Sequence, residues 1–278
     1  MCNVGRLRRC PGAGAGATQG IGGFKRPSPV QPLLYGGLGD STWGLQTTLE
    51  RAFPSELAEP IETLTDYYDY AISAKASIET FTDRQWDDTG KLDRFLESIN
   101  TFQSIGPQFF FIEEQAVYRY FIFLRHQRYP SPLLDWTASP YIAAFFAFDG
   151  ADRAASDIAI FVMLRDTLST SSANDPQITL LGPNIRSHRR HMIQQSSYTI
   201  CTVWEPRFQI YNHDDALSGT PGRFGVAGEA IKIVIPSTER NTALRALDQM
   251  NINGYSLYGS DDSLMRTVAR RRGLFRNE

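Results

Sequence analysis

The chain predicts an α+β domain, a mixed central sheet with an N-terminal helical lobe. Helical periodicity dominates from residue 41 to about residue 125. Beyond residue 157, near-continuous apolar runs of strand length take over. The two regimes meet at Leu133–Phe148, LLDWTASPYIAAFFAF, where a short apolar strand hands over to a buried helix. Helices first and strands with interspersed helices afterwards is the pattern of an α+β fold.

Taken in order, residues 1–30 hold PGAGAGATQGIGG and little that can be buried, so a disordered Gly/Ala-rich tail is expected there, with one domain over 31–278. Those glycines lack the Lys-Ser and the preceding strand of a phosphate loop. Leu33–Tyr35 reads as a strand end followed by a turn at Gly36–Asp40. Ser41 is placed to cap a helix carrying Leu45, Leu49 and Phe53. Helical spacing continues over 55–82, recurs at 91–102, and returns in the aromatic-rich stretch 109–125. In the central segment Ser139 caps a helix with Pro140 at its first position, where the missing N–H has no partner to lose. Ala143, Ala144 and Ala147 let that helix lie close on a sheet.

Strands are expected at Asp157–Leu164, Ile178–Leu181, Tyr198–Trp204 and, as another buried one, Ala230–Ile235. Residues 212–229 read as a polar loop. Ser237 starts a helix with Leu244 and Leu247 inward, and Ser260 caps a last helix that runs from Asp261-Asp262 to Arg270–Arg272. Acidic start and basic end both suit the helix dipole, and Gly273 suits the left-handed position after it.

Net charge is −2, but residues 1–28 carry five basic side chains and no acidic one, leaving 23 basic against 30 acidic in the remainder. A body this acidic argues against general nucleic-acid binding. No apolar run approaches the ~20 residues of a membrane span. The three cysteines form no framework, and with no secretory apolar segment a reducing cytoplasmic setting is expected. The four histidines lack zinc-site spacing; His213 with Asp214-Asp215 is the best metal candidate, and no metal is expected. A serine hydrolase has no G-x-S-x-G elbow to stand on.

The residues that bring chemistry to otherwise apolar elements are Asp135, Trp136 and Thr137 at the strand end, His126 upstream, and Gln194-Gln195 before the strand at Tyr198. His126 and Asp135 form an acid–base pair if they meet, although a lone histidine beside an aromatic helix is more often a structural hydrogen bonder. The cluster Arg186–His191 is either a solvated helical face or a phosphate-contacting patch.

Several of these segments together resemble the FRG domain family. The resemblance rests on Arg125-His126, Pro130, Leu133–Thr137, Ser139-Pro140 and the alanine-rich helix at Ala144–Ala147. It extends to Trp43, Leu45 and Thr47–Arg51; to Arg190, Gln194–Ser196 and Tyr198–Ile200; and to Asn251–Asn253 with Ser256–Ser260. One position departs from it: where the family has an aromatic residue followed by Arg-Gly, this chain reads Tyr35-Gly36-Gly37-Leu38.

The family's order of elements looks like that of NAD-consuming ADP-ribosyltransferases. The resemblance therefore implies a cleft for a nucleotide-like or other phosphorylated ligand. In it His126, Asp135, Thr137 and Gln195 would be catalytic, and Arg125, Trp136, Arg190, Gln194 and Tyr198 would bind ligand. NAD is the cofactor this layout implies; no membrane association is expected, and the resemblance names no protein partner. Gly36 keeps a second reading open, a ligand-binding or protein-interaction module without catalysis, since losing the arginine removes a charged contact worth about 1.5–3 kcal/mol.

Overall fold

In the computed structural model the described residues are 33–52, 61–86, 94, 97, 115–151, 157–164, 175–182, 185–218 and 230–273. The expected tail, most of the helix expected at 91–102 (Arg94 and Glu97 are described, and helical) and several loop segments lie outside them. Seven strands form one sheet: β1 (Leu33–Leu38), β2 (Leu134–Thr137), β3 (Asp157–Leu164), β4 (Gln177–Leu181), β5 (Ser196–Trp204), β6 (Phe208–Ile210) and β7 (Ala230–Pro236). Their order is β4-β5-β2-β1-β3-β7, with β6 continuing the β2 side of β5. The helices are α1 (Thr48–Ala52), α2 (Leu64–Ser73), α3 (Lys75–Thr82), α4 (Gln115–His126), α5 (Pro140–Asp149), α6 (Arg189–Ile193), α7 (His213–Ser218), α8 (Arg240–Gln249), α9 (Gly254–Tyr258) and α10 (Asp261–Arg271).

The α+β class is as predicted, but every strand pairing is antiparallel rather than mixed. The reason is the central crossover. β2 and β3 run in the same direction, yet β1 is inserted between them and pairs antiparallel with both. α5 therefore connects β2 to β3 across β1 and packs on it.

The register pairs Tyr35 with Thr137 and Thr137 with Ser196, putting these three on one face of the sheet. That face carries both helical layers. Under β4 and β5, Tyr198, Ile200 and Leu181 pack against Leu64, Tyr67, Phe121 and Leu124 of α2 and α4. Under β1, β3 and β7, Ile158 and Ile160 pack against Ile142, Phe145, Leu244 and Leu247 of α5 and α8. The opposite face holds a smaller cluster of Leu34, Trp136, Ala159, Phe161 and Met163, closed by Leu45.

Local chemistry sets most boundaries. Ser139 Oγ accepts from the Ile142 N–H and Pro140 stands in the first turn of α5. Thr63, Asn253 and Ser260 close reciprocal capping boxes on α2, α9 and α10. Gly273 takes φ 68° after α10.

Four expectations change. Gly36–Leu38 continue β1 instead of turning, because Gly37 lies where α5 crosses and a side chain there would meet helix backbone. The helix expected from Ser41 starts only at Thr48: Asp40 Oδ1 accepts from Thr42 N and Oγ1, which makes a turn, and Leu45 is buried from a loop. Inside the expected loop at 212–229, residues His213–Ser218 form α7. The strand at Ala230–Pro236 is not buried but the sheet's edge, with Ile231, Ile233 and Val234 exposed, since the described residues place no strand beyond it.

Candidate functional site

β1 and β2 share the single register pair Tyr35↔Thr137. From that point β1 keeps its ladder with β3 down to Leu38↔Ala159, and β2 keeps its ladder with β5 up to Leu134↔Thr199. The two central strands thus part toward Leu38 and Leu134, and a cleft of ≈ 800 Å³ opens at the split. Gly36, Gly37, Trp136 and Thr137 form its floor. The C-terminal end of α4 with Arg190 forms one wall, and α9 with α10 another.

Of the residues singled out by sequence, Arg125, His126, Asp135, Trp136, Thr137, Arg190 and Gln194 line this one cleft. Arg125 Nη2 lies 2.9 Å from Asp135 Oδ2 while its Nε donates to the Leu133 carbonyl at 3.1 Å, so β2 and the end of α4 are clamped together. Arg190 Nε donates to the Tyr258 carbonyl at 2.9 Å, and its guanidinium carbon sits 5.7 Å from the Tyr258 ring centroid. Gln194 Nε2 donates to the Leu257 carbonyl at 3.1 Å. Thr137 Oγ1 donates to the Gln194 carbonyl at 2.7 Å and accepts from Ser139 N at 3.1 Å.

Two of the residues do not line the cleft. Gln195 takes a left-handed φ of 49°, leaving its side chain exposed while its carbonyl accepts from Ala138 N at 3.1 Å. Tyr198 is buried behind the wall, its hydroxyl 2.8 Å from His126 Nε2 and 3.1 Å from His191 Nδ1. One hydroxyl proton serves only one of the two rings, so the other ring must donate to the oxygen. Burial holds His126 down to about 4, against a smaller opposing pull from Asp135. His126 is therefore neutral at pH 7, and the burial that keeps it so makes it a weak base.

Beneath Trp136 a second chain of hydrogen bonds runs into the opposite face. Trp136 Nε1 donates to Thr199 Oγ1 at 2.8 Å, and Thr199 Oγ1 lies 3.0 Å from His213 Nε2. His213 is 1% exposed with no partner for Nδ1, and burial pushes it down to about 3. The expected metal candidate is dismantled by these contacts: Asp214 Oδ2 accepts from Leu45 N at 2.8 Å and braces the loop over the sheet. No cluster of metal-binding side chains occurs among the described residues.

The charge of the cleft is the opposite of the chain's. Six arginines line it, Arg51, Arg125, Arg128, Arg190, Arg266 and Arg270, against Asp135, Asp149 and Asp262. Arg125 is paired with Asp135 and Arg270 with Asp149, at 2.9 and 2.7 Å. No carboxylate of the described residues pairs with Arg51, Arg128 or Arg266. Arg51 is held below the usual arginine range by burial and by the like charge of Arg125. Of the six, sequence reasoning missed Arg51, Arg128, Arg266 and Arg270 as cleft residues, the last having been read as part of a helix terminus, and it missed Tyr258 and Trp43 as well. Arg51 ends the helix motif quoted above, the one signal available; Arg266 and Tyr258 come from the far end of the chain.

The protein is thus an α+β fold with a cationic cleft at a split between its central strands. The model of the FRG domain family matches residues 31–156. That match takes in β1, α4, β2 and α5, including Arg51, Arg125, Arg128 and Asp135, whereas Arg190, Tyr258, Arg266 and Arg270 come from beyond it. No curated protein and no solved structure matches the chain. No helix among the described residues is long and apolar enough to cross a membrane.

Proposed function

We propose that the cleft binds a nucleotide-like, phosphorylated ligand. The observation that carries this is the concentration of six arginines around one opening in an otherwise acidic chain. Guanidinium groups match phosphate oxygens two at a time, and aromatic side chains beside them offer faces for a base. Tyr35, Trp43, Trp136 and Tyr258 supply such faces. The reaction proposed for this site is transfer of ADP-ribose from NAD as substrate. The bond between nicotinamide and ribose breaks with its electron pair leaving on nicotinamide, and an acceptor nucleophile bonds the ribose carbon. Positive charge then builds on the ribose, and Asp135, held by Arg125, is the carboxylate suited to oppose it.

Melting shifts with ADP-ribose, NAD and ATP test binding. A ligand at 100 times its dissociation constant adds about 2.7 kcal/mol of stability, and no shift with any of the three ends the reading. Release of nicotinamide, abolished in Asp135→Asn, tests the reaction.

A second reading, binding without catalysis, is favoured by one specific observation. The Thr137 hydroxyl is already engaged at both its donor and an acceptor position, and Gln195 points away from the cleft. Under this reading ADP-ribose binds, NAD is not consumed, and Gly36→Arg is the variant in which turnover would first appear.

A further inference from the structure

Within the cleft, one group of arginines is distinguished by where it converges. Arg128 follows α4, Arg190 lies in α6 and Arg266 in α10, yet all three line the cleft together with Tyr258. Arg190 is fixed there by donating to the Tyr258 carbonyl at 2.9 Å and to the His126 carbonyl at 3.4 Å. The nearby Asp149 pairs with Arg270 at 2.7 Å. Asp262, one turn before Arg266, makes no ion pair with it. Three like charges from three elements therefore line the cleft around Tyr258, none of them ion-paired with a carboxylate of the described residues, while Asp149 also acts on the Tyr258 hydroxyl.

Arg128 adds an independent sign. α4 ends in a Schellman motif: Tyr129 N donates to the Leu124 carbonyl at 3.0 Å and Arg128 N to the Arg125 carbonyl at 3.2 Å. Arg128 occupies the left-handed position of that motif, φ 66°, which glycine fills without strain. Gly259 and Gly273 fill the matching positions after α9 and α10. An arginine kept where its backbone is strained, with an exposed guanidinium facing the cleft, fits a ligand clamp better than a helix stop.

We infer that Arg128, Arg190 and Arg266 form a phosphomonoester subsite over the Tyr258 ring. The ligand of the cleft is then a nucleotide carrying a terminal or branching phosphate. A monoester brings close to two negative charges and three acceptor oxygens, enough to satisfy three guanidinium groups from separate directions. A diester phosphate, with one charge and two free oxygens, is not. This inference rests on the nucleotide reading above and narrows it to nucleotides with a phosphomonoester, so that the dinucleotide for the proposed transfer would be NADP in preference to NAD.

The test uses the full chain and two matched pairs of probes: 5′-AMP with adenosine, and NADP with NAD. Calorimetry at one fixed ionic strength gives the affinity ratio within each pair. The expected result is at least tenfold tighter binding of the monoester member in one pair, falling below threefold in Arg128→Gly and in Arg266→Gln. Arg128→Gly keeps the fold, because glycine suits φ 66°, and its melting temperature confirms that the loss is one of recognition. Equal affinities within both pairs overturn the subsite and leave the cleft reading standing. A ratio that survives in both variants also overturns it. Failure of all four probes to bind ends both.

Discussion

Gly37 on β1 lies directly beneath Ala143 of α5: a Cβ added to the glycine would stand 2.0 Å from the Ala143 carbonyl oxygen and 2.9 Å from Ala147 N. Backbone meets backbone at this crossing, so no rotamer relieves a side chain there. Gly37→Ala is expected to destabilise the fold by more than about 3 kcal/mol, at or beyond the upper end of ordinary overpacking. Gly36→Ala should be far milder, since its Cβ would stand 3.3 Å from the edge of the Trp136 ring, a side chain that can shift. Urea denaturation of the two variants side by side checks the contrast; equal losses would mean that α5 is not held against β1 as described.

The chain Trp136–Thr199–His213 joins the cleft floor to the buried face of the sheet. Thr199→Val keeps the shape but leaves Trp136 Nε1 and His213 Nε2 without this partner in a buried site. Each unpaired buried group costs about 1–3 kcal/mol, so a total of about 2–6 kcal/mol is expected. Denaturant midpoints give the loss, and a change in tryptophan emission would place it at Trp136.

Two histidines make the fold acid-sensitive. Burial lowers His126 to about 4 and His213 to about 3, both below the unfolded value of 6.5. The unfolded chain then binds more protons than the native one at mildly acid pH, so stability is complete above about 6.5 and falls as pH drops toward the folded values. At pH 5 the loss is about 2 kcal/mol per histidine, from 1.36 kcal/mol per pH unit. His213→Leu should flatten this acid limb while lowering stability at pH 7.5. Melting temperatures from pH 7.5 to 4.5 decide it, and an unchanged slope in the variant would remove His213 as a cause.

Arg128→Gly should raise stability while weakening ligand. A left-handed residue costs about 1–2 kcal/mol for a non-glycine side chain, partly offset by the greater freedom of glycine in the unfolded chain. The net gain expected is about 0.5–1 kcal/mol in urea denaturation. A loss instead would show that the Arg128 side chain supports the fold.

Much of the fold was legible because it is written in neighbouring residues. Ser139-Pro140 announced α5, Ser260 with Asp261-Asp262 announced α10, and DIAIFVML announced β3, since caps, dipoles and apolar runs act within a few positions along the chain. The same locality misled at Gly36–Leu38. Glycines in a row look like a turn when the helix that needs their bareness lies a hundred residues away. It misled again at β7, whose apolar run is that of an interior strand although it lies at the sheet's edge. Seven of the nine proposed site residues line the cleft because they sit at the ends of β2, α4 and α6, which the sheet register draws together. Gln195 and Tyr198 do not: a left-handed turn leaves the first exposed, and the second, on the same sheet face as Asp135 and Ser196, is covered by α4.

By itself the amino-acid order determined an α+β fold, the caps of α5 and α10, and the strand that ends at Asp135–Thr137. Only the tertiary structure decided that β1 and β2 part after a single pair, and that Arg51, Arg128 and Arg266 meet in the opening. Charge summed along a chain is blind to this. Where cations gather depends on which helix ends the sheet brings face to face, and that is a property of packing at long range.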